Sequence, residues 1–301
     1  MYDLVVVGGG VSGMTSALYA LRNGKHVLLI ESTSIGGQIA QSPKVENYPS
    51  VKQISGERLS DDMFEQITAL GVDFELDNIT KIEKENNVFT LTGEFGIYQG
   101  KSVVVANGVK HRKLNLEGEE KYIGNGVYYC AICDGPFYAG KEVTLIGDGN
   151  TALQYALLLS DICSKVNLVI MFDKFFGDEN LVRAVENRKN IEITRNSKTI
   201  KLKGKDTLDA IVFERQDKTT FEITNTPLFV AIGQIPDNKK FENLADLDKM
   251  GYFDSDETCT TKTPGFFVAG DTRKKGVRQV TTAVCDGAVS ATNACNYLNT
   301  L

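Results

Sequence analysis

The residues best suited to chemistry in this chain are Cys130-Ala131-Ile132-Cys133-Asp134. Two cysteines separated by two residues can supply half of a tetrahedral metal site, or they can open and close as a redox disulfide. The remaining cysteines stand singly at 163, 259, 285 and 295, so no second close pair completes a four-thiolate or cluster site. The two histidines, His26 and His111, do not adjoin the cysteine pair. A disulfide that turns over needs an electron donor, which must be held elsewhere in the chain.

Tyr2–Val7 is a nearly continuous apolar run rich in β-branched residues, as a strand buried on both faces requires. Gly8, Gly10 and Gly13 follow as G-x-G-x-x-G, with Ser12 inside the turn, where a helix begins. The first glycine permits the tight turn, the second lets backbone approach a pyrophosphate, and the third lets helix and strand pack closely. The helix N-terminus adds free N–H groups and a partial positive charge. Glu31 ends the next strand and is placed to accept hydrogen bonds from a ribose diol. The layout repeats with a strand over 142–146, Gly147-x-Gly149-x-x-Ala152, a helix over 151–159 and a strand over 166–171. Two such units predict two dinucleotides, or one dinucleotide and a relic.

The 301 residues suffice for two domains with their own cores, and 42% hydrophobic with 24% charged residues is a globular composition. A net charge of −6, with no lysine-arginine cluster broken by aromatics, argues against nucleic acid as a partner. No apolar run reaches the roughly 18–20 residues of a membrane span. A strand beginning at Tyr2 leaves no room for a leader, so a cytoplasmic protein with no membrane partner is expected. Gly270-Asp271 closes a later strand before a helical stretch over 279–298. The expected fold class is α/β, with two Rossmann-like dinucleotide-binding domains, the second inserted in the first. The first takes residues 1–112 and 246–301, and the insertion takes 113–245.

The cysteine stretch belongs to a set that spans the chain: Gly8-Gly9-Gly10-Val11-Ser12-Gly13, Ile35-Gly36-Gly37-Gln38, Glu46-Asn47-Tyr48-Pro49, Ala231-Ile232-Gly233, Gly270-Asp271 and Arg278-Gln279-Val280-Thr281. In these segments the chain resembles the low-molecular-weight thioredoxin reductases, flavoproteins of the pyridine nucleotide-disulfide oxidoreductase class. The resemblance implies a fold of thioredoxin reductase type, a homodimer, and FAD on the first domain. Gly8, Gly10, Ser12 and Gly13 would hold the pyrophosphate and Glu31 the adenosine ribose. Gly37, Gln38 and Asn47 would line the flavin side, while Gly270, Asp271, Arg278, Gln279 and Val280 would reach the ribityl and ring portion. The resemblance also implies a Cys130–Cys133 disulfide on the second domain that reduces thioredoxin, with Cys133 nearest the flavin and Cys130 attacking. Asp134 would protonate the departing thiolate, for which it needs a raised pKa. The alternative is a cap on the following turn.

Three positions depart from the family pattern. Ordinary members carry His-Arg-Arg after the strand of the second domain, where this chain has Ile170, Met171 and Phe172. Asp148 adds a negative charge to the second glycine turn, and Asn107 replaces a threonine in the first domain. An apolar surface leaves a dianionic phosphate unpaired. In this the chain resembles the ferredoxin-dependent flavin thioredoxin reductases of anaerobic bacteria. The reading that follows is thioredoxin reduced with electrons from reduced ferredoxin, through FAD and the Cys130–Cys133 disulfide. The alternative is an NADPH- or NADH-dependent enzyme with a remodelled nucleotide site. The run 272–278, with Lys274 and Lys275, is a candidate ferredoxin docking patch or an ordinary solvated loop. Among the other cysteines, Cys163 is expected to be buried. Cys285 and Cys295, ten residues apart in one helix, are expected on roughly the same face.

Overall fold

A computed structural model of the protein describes residues 1–42 and 45–301. In chain order the elements begin with β1 (Tyr2–Val7), α1 (Val11–Arg22), β2 (Val27–Glu31), α2 (Gly56–Thr68), β3 (Asp73–Leu76), β4 (Ile79–Glu85), β5 (Val88–Gly93), β6 (Ile97–Val105) and β7 (Val109–His111). They continue with α3 (Glu119–Tyr122), β8 (Val127–Tyr128), α4 (Ala131–Asp134), β9 (Glu142–Ile146), α5 (Asn150–Ile162), β10 (Lys165–Val169), α6 (Glu179–Glu186) and β11 (Ile191–Thr194). Last come β12 (Ser197–Lys203), β13 (Ala210–Arg215), β14 (Thr220–Thr224), β15 (Leu228–Val230), β16 (Gln234–Pro236), β17 (Phe266–Val268) and α7 (Val280–Leu298). The chain folds as two interleaved Rossmann-like α/β units, residues 1–110 with 235–301, and residues 111–234. Among the described residues, no helix is long and apolar enough to cross a membrane.

Unit one is built on a seven-stranded sheet in the order β3-β2-β1-β6-β5-β4, with β17 pairing the C-terminal part of β6. Strands β3, β2, β1 and β6 pair in parallel, and β5 pairs antiparallel with both β6 and β4. Both faces are covered, which explains the apolar run of β1. Leu4 and Val6 share a core with Met14 and Ala17 of α1, and Val5 and Val7 share the opposite one with Phe89, Val103 and Phe241. Helix α7 lies close on α1 because residue 287 is glycine. A Cβ there would meet the Ser12 carbonyl oxygen at 2.5 Å. The Ser16 hydroxyl donates to the Gly287 carbonyl at 3.2 Å across the same contact.

Residues 235–245 fall in unit one, although an inserted module reaching 245 was expected. The segment is polar in composition, yet Phe241, Leu244 and Ala245 stand at i, i+3 and i+4. They turn one buried face to the core of β1, β5 and β6. The Leu244 and Ala245 N–H groups both donate to the Phe241 carbonyl, which holds that spacing.

Unit two has a parallel sheet in the order β11-β10-β9-β15-β8 and an antiparallel one, β12-β13-β14. Val143 and Leu145 pack with Leu153 and Ala156 of α5, and Ile146 and Val169 pack with Leu202 and Phe213 of the antiparallel sheet. Helix α5 starts directly after the extended Gly149, one residue before the expected start, and β10 ends two residues before the expected 171.

Phe241→Ala should destabilise unit one by about 3–5 kcal/mol, the usual cost of an aromatic cavity. Hydrogen exchange should quicken in β1, β6 and β17 and stay unchanged in β9, β10 and β15. Equal acceleration in both units would show that 235–245 does not belong to the first core.

Candidate active site

Cys130 follows β8 and caps α4, its sulfur accepting from the Cys133 N–H at 3.2 Å. The two cysteines are disulfide-bonded with Cα atoms 5.3 Å apart, within the range a disulfide spans. Of the two arrangements open to this spacing, the structure has the disulfide. Asp134 is the last residue of α4, and the residue is only 7% exposed. Its Oδ1 has no hydrogen-bond partner among the described residues, and its side chain caps nothing in the following turn. Loss of water penalises the charged form, so burial pushes its pKa up to about 7. The nearby phenols leave it alone: the Tyr138 hydroxyl donates to that of Tyr128 at 2.6 Å, and Tyr128 donates to the Gly124 carbonyl at 3.1 Å. Asp134 thus has the environment of an acid that can give up its proton near neutral pH.

Cys163, Cys259 and Cys295 are buried, while Cys285 is exposed. The shared face expected for Cys285 and Cys295 is corrected, because ten residues at 3.6 per turn leave two side chains about 80° apart. Burial raises the Cys259 thiol to about 12, so it has no reactive thiolate.

The first-domain residues singled out by sequence converge on one cradle in unit one. Gly8 has φ +112°, and a Cβ there would meet the Ala106 carbonyl oxygen at 2.4 Å. A Cβ at Gly10, in contrast, would find its nearest neighbour at 4.0 Å, which leaves open space before the N-terminus of α1. Glu31 is buried and accepts from the Gly9 N–H at 2.6 Å and from the Thr33 N–H at 2.9 Å. The loop with Gly37 and Gln38 lies over the same turn, its Gly36 N–H donating to the Gly9 carbonyl at 2.9 Å. The Gln38 amide donates to the Val109 carbonyl. Gly270 meets α1 at Ser12, where a Cβ would stand 2.3 Å from the serine Oγ. Asn47 donates to Gln279 Oε1 at 3.1 Å, Gln279 caps α7 immediately before Val280, and Arg278 Nε donates to the Asp271 carbonyl at 3.2 Å.

These residues fit a flavin dinucleotide. Asp271 is largely buried, and its Oδ1 is without a partner among the described residues. Burial raises its pKa against the pull of Lys275 and Arg278. Asn107 Oδ1 is likewise buried and unpartnered. Two buried acceptors lacking donors, beside an open helix N-terminus, are what a polyhydroxylated phosphate ligand would satisfy.

Sequence reasoning missed the network beneath this cradle. Asp286 accepts from the Gly270 N–H at 2.9 Å, from Arg273 at 2.9 and 3.1 Å, and from Lys275 at 2.8 Å. Burial alone would raise the Asp286 carboxyl, but the hydrogen bonds from Arg273 and Lys275 hold it below the usual range. One signal was available, since Asp286 is the sole charged residue between 280 and 298. The Lys275 side chain is 8% exposed and committed to this pair, so neither reading of the run 272–278, docking patch or solvated loop, describes Lys275. Lys274 is occupied by Asp254 at 3.2 Å.

In unit two, Ile146 registers with Val169 as Val7 does with Ile30 in unit one. The position of Glu31 is therefore taken by Ile170, which is fully buried. Of the apolar triplet, only Met171 and Phe172 reach solvent, at 51% and 42% exposure. The turn itself keeps dinucleotide geometry. Gly147 has φ +146°, a Cβ on it would meet the Ala231 carbonyl oxygen at 2.3 Å, and Gly149 has open space before α5.

The sequence profile of the pyridine nucleotide-disulphide oxidoreductase family matches residues 2–287. Thioredoxin reductase from Treponema pallidum is 34% identical over 303 residues, covering 100% of this chain and 98% of its own. A 34.2 kDa protein in the rubredoxin operon of Clostridium pasteurianum is 35% identical over 298 residues, covering 98% and 97%. The crystal structure of thioredoxin reductase from Streptococcus pyogenes superposes with a TM-score of 0.95 at 31% identity, covering 100% and 99%. The chain belongs to the pyridine nucleotide-disulphide oxidoreductase family. Within it, the chain is a low-molecular-weight, thioredoxin-reductase-like member.

The expectation of a ferredoxin-dependent enzyme is overturned by these likenesses, which favour the nicotinamide alternative. Its premise was that an apolar triplet marks a decayed nucleotide site. In the structure one of the three residues is core, and the glycine turn is intact.

Two outcomes test the site. Asp286→Ala would leave Arg273 and Lys275 as uncompensated buried cations, and should cost about 3–5 kcal/mol in urea unfolding. For Asp134, the native carboxyl binds more protons than the unfolded chain between about pH 4 and its raised pKa of about 7. Its contribution therefore favours folding at low pH and is lost as pH rises through 7. Asp134→Asn should match the parent at pH 4 and exceed it by about 1–3 kcal/mol at pH 9. A difference independent of pH would show that the carboxyl is charged throughout.

Proposed function

We propose that the protein is an FAD-dependent thioredoxin-disulfide reductase that takes electrons from NADPH or NADH, bound at the Gly147–Gly149 turn. The observation that carries this is a disulfide at Cys130 and Cys133 followed by a buried, protonatable Asp134. The thioredoxin reductases among the relatives support thioredoxin as the substrate. Gly8, Gly10, Ser12 and Gly13 would hold the pyrophosphate of FAD, and Glu31 its adenosine ribose. Gly37, Gln38 and Asn47 would line its flavin side, and Gly270, Asp271, Arg278, Gln279 and Val280 its ribityl and ring portion. A homodimer and a cytoplasmic location belong to the same reading.

Bound FAD supplies a carrier that passes an electron pair from dinucleotide to disulfide. Two electrons and two protons open the Cys130–Cys133 bond. The Cys130 thiol loses its proton to solvent and its thiolate attacks one sulfur of the thioredoxin disulfide; that S–S bond breaks and a mixed disulfide forms. Asp134 gives its proton to the released thioredoxin thiolate and recovers one as the Cys133 thiol ionises. The Cys133 thiolate next attacks Cys130 Sγ, releases the second thioredoxin sulfur, which takes a proton from solvent, and restores the original disulfide. Each cycle delivers two electrons and two protons to thioredoxin.

The test is anaerobic mixing of purified yellow protein with each dinucleotide. NADPH or NADH should bleach the flavin within the turnover time. Cys133→Ser should keep its flavin yet lose thioredoxin reduction by about a thousandfold or more. Protein that stays yellow under millimolar amounts of both dinucleotides would refute the donor, and a colourless purified protein would refute the cofactor.

A further inference from the structure

Asn107 stands in unit one where the family pattern has threonine, and the bonds that fix its amide leave one atom over. Its Nδ2 donates to the Asp237 carbonyl at 3.2 Å and to Asn238 Oδ1 at 3.1 Å. A carbonyl only accepts, so the nitrogen must face Asp237 and the amide cannot be turned over. Asn238 is oriented by the same logic. Its Nδ2 donates to the Gly251 carbonyl at 3.0 Å and to the Thr272 carbonyl at 3.1 Å, so its Oδ1 is an acceptor. The Thr272 hydroxyl donates to that same oxygen at 2.7 Å. Asn238 and Thr272 are both buried. Three side chains from separate stretches of unit one thus form a chain whose last oxygen, Asn107 Oδ1, is buried and has no donor among the described residues. The bonds at its nitrogen keep Asn107 from turning that oxygen elsewhere.

The position of Asn107 says what kind of donor it meets. Val105, at the end of β6, registers with Val7 of β1 on one side and with Val268 of β17 on the other. Asn107 therefore lies between the first glycine turn and Gly270-Asp271. A Cβ at Gly8 would stand 3.0 Å from the Asn107 nitrogen, and Asp271 Oδ1 is the other unpartnered acceptor of the cradle. A flavin dinucleotide with its pyrophosphate at Gly8 and Gly10 and its ribityl chain at Asp271 passes Asn107 between the two. Pyrophosphate oxygens only accept at neutral pH, whereas every ribityl hydroxyl can donate. Resting on the FAD reading above, we infer that Asn107 is a specificity-determining residue for the cofactor in this chain. Its Oδ1 accepts a hydrogen bond from one ribityl hydroxyl, and Asp271 takes a different one. A threonine hydroxyl can rotate between donor and acceptor, but the tethered amide presents only an acceptor, so a ligand with no donor at this point is rejected.

The probes are FAD, three analogues each lacking one ribityl hydroxyl, and one lacking the 2′-hydroxyl of the adenosine ribose. They are titrated into the flavin-stripped full chain, and binding is read from flavin fluorescence. Two of the ribityl analogues should bind about 5- to 50-fold more weakly than FAD, the range for one buried hydrogen bond each. Asn107→Ala should erase the loss for one of them and keep it for the other, which also shows that the cradle is folded. Asn238 Oδ1 retains the Thr272 hydroxyl in that variant, so the rest of the chain of bonds stands. Should the alanine variant bind no flavin at all, Asn107→Ser, too short to reach the same hydroxyl, takes its place with the same expectation. The inference is overturned if no ribityl analogue shows a loss that depends on residue 107, or if the adenosine analogue is the one that does. In both cases FAD binding by the parent leaves the proposed cofactor standing. If the parent binds none of the flavins, the cofactor is refuted and this inference falls with it.

Discussion

Helix α1 can lie against strand β1 only because residue 13 has no side chain. A Cβ there would stand 1.8 Å from the Gly8 carbonyl oxygen, closer than any packing allows. That approach brings the helix N-terminus to the carboxyl edge of the sheet, and the rest of the cradle is attached to it. Gly9 is held by Glu31 and by Gly36, and Gly270 rests on Ser12. Unit two solves the same problem with Ala152 as its third residue. It fits because residue 147 is glycine: a Cβ at 147 would meet the Ala152 Cβ at 2.8 Å. Two copies of one close contact thus set where ligands can approach both units.

Asp286 and Asp134, two of the buried carboxylates, are held in opposite ways. Asp286 takes four hydrogen bonds from Gly270, Arg273 and Lys275 and is held as an anion. A permanent charge of this sort costs desolvation, which its partners offset, and its use is to fix the position of Gly270 and hence Asp271. Asp134 is buried with one oxygen unpartnered, and burial brings its pKa near neutrality. The first arrangement organises backbone; the second stores a proton beside a disulfide. Local sequence does not distinguish them, because both are single aspartates before a glycine. What distinguishes them is whether cations from elsewhere in the chain arrive at the carboxylate.

Patterns within one or two adjacent elements were legible. The strand–glycine–helix–strand order of both units follows from period and turn chemistry, since only glycine meets the required φ and spacing. The cysteine pair is legible for the same reason, because three residues of separation bring two sulfurs together in one helical turn. The segment 235–245 was less so. Its apolar spacing was present, but which core it joins depends on contacts with β1, more than 200 residues earlier. The run 272–278 looked like a cationic surface. Lys275 instead turns inward to Asp286, and nothing within the run signals that partner.

By itself, the sequence determined the two glycine turns and the close spacing of the cysteine pair, because each depends on neighbours a few residues apart; the candidate contacts of a flavin dinucleotide rested on the family resemblance. Tertiary structure alone decided which charges are buried together, as Asp286 is with Arg273 and Lys275, and that Ile170 is core at the position where unit one has Glu31. Electrostatic energy depends on distance and dielectric, and neither is fixed until distant strands have packed.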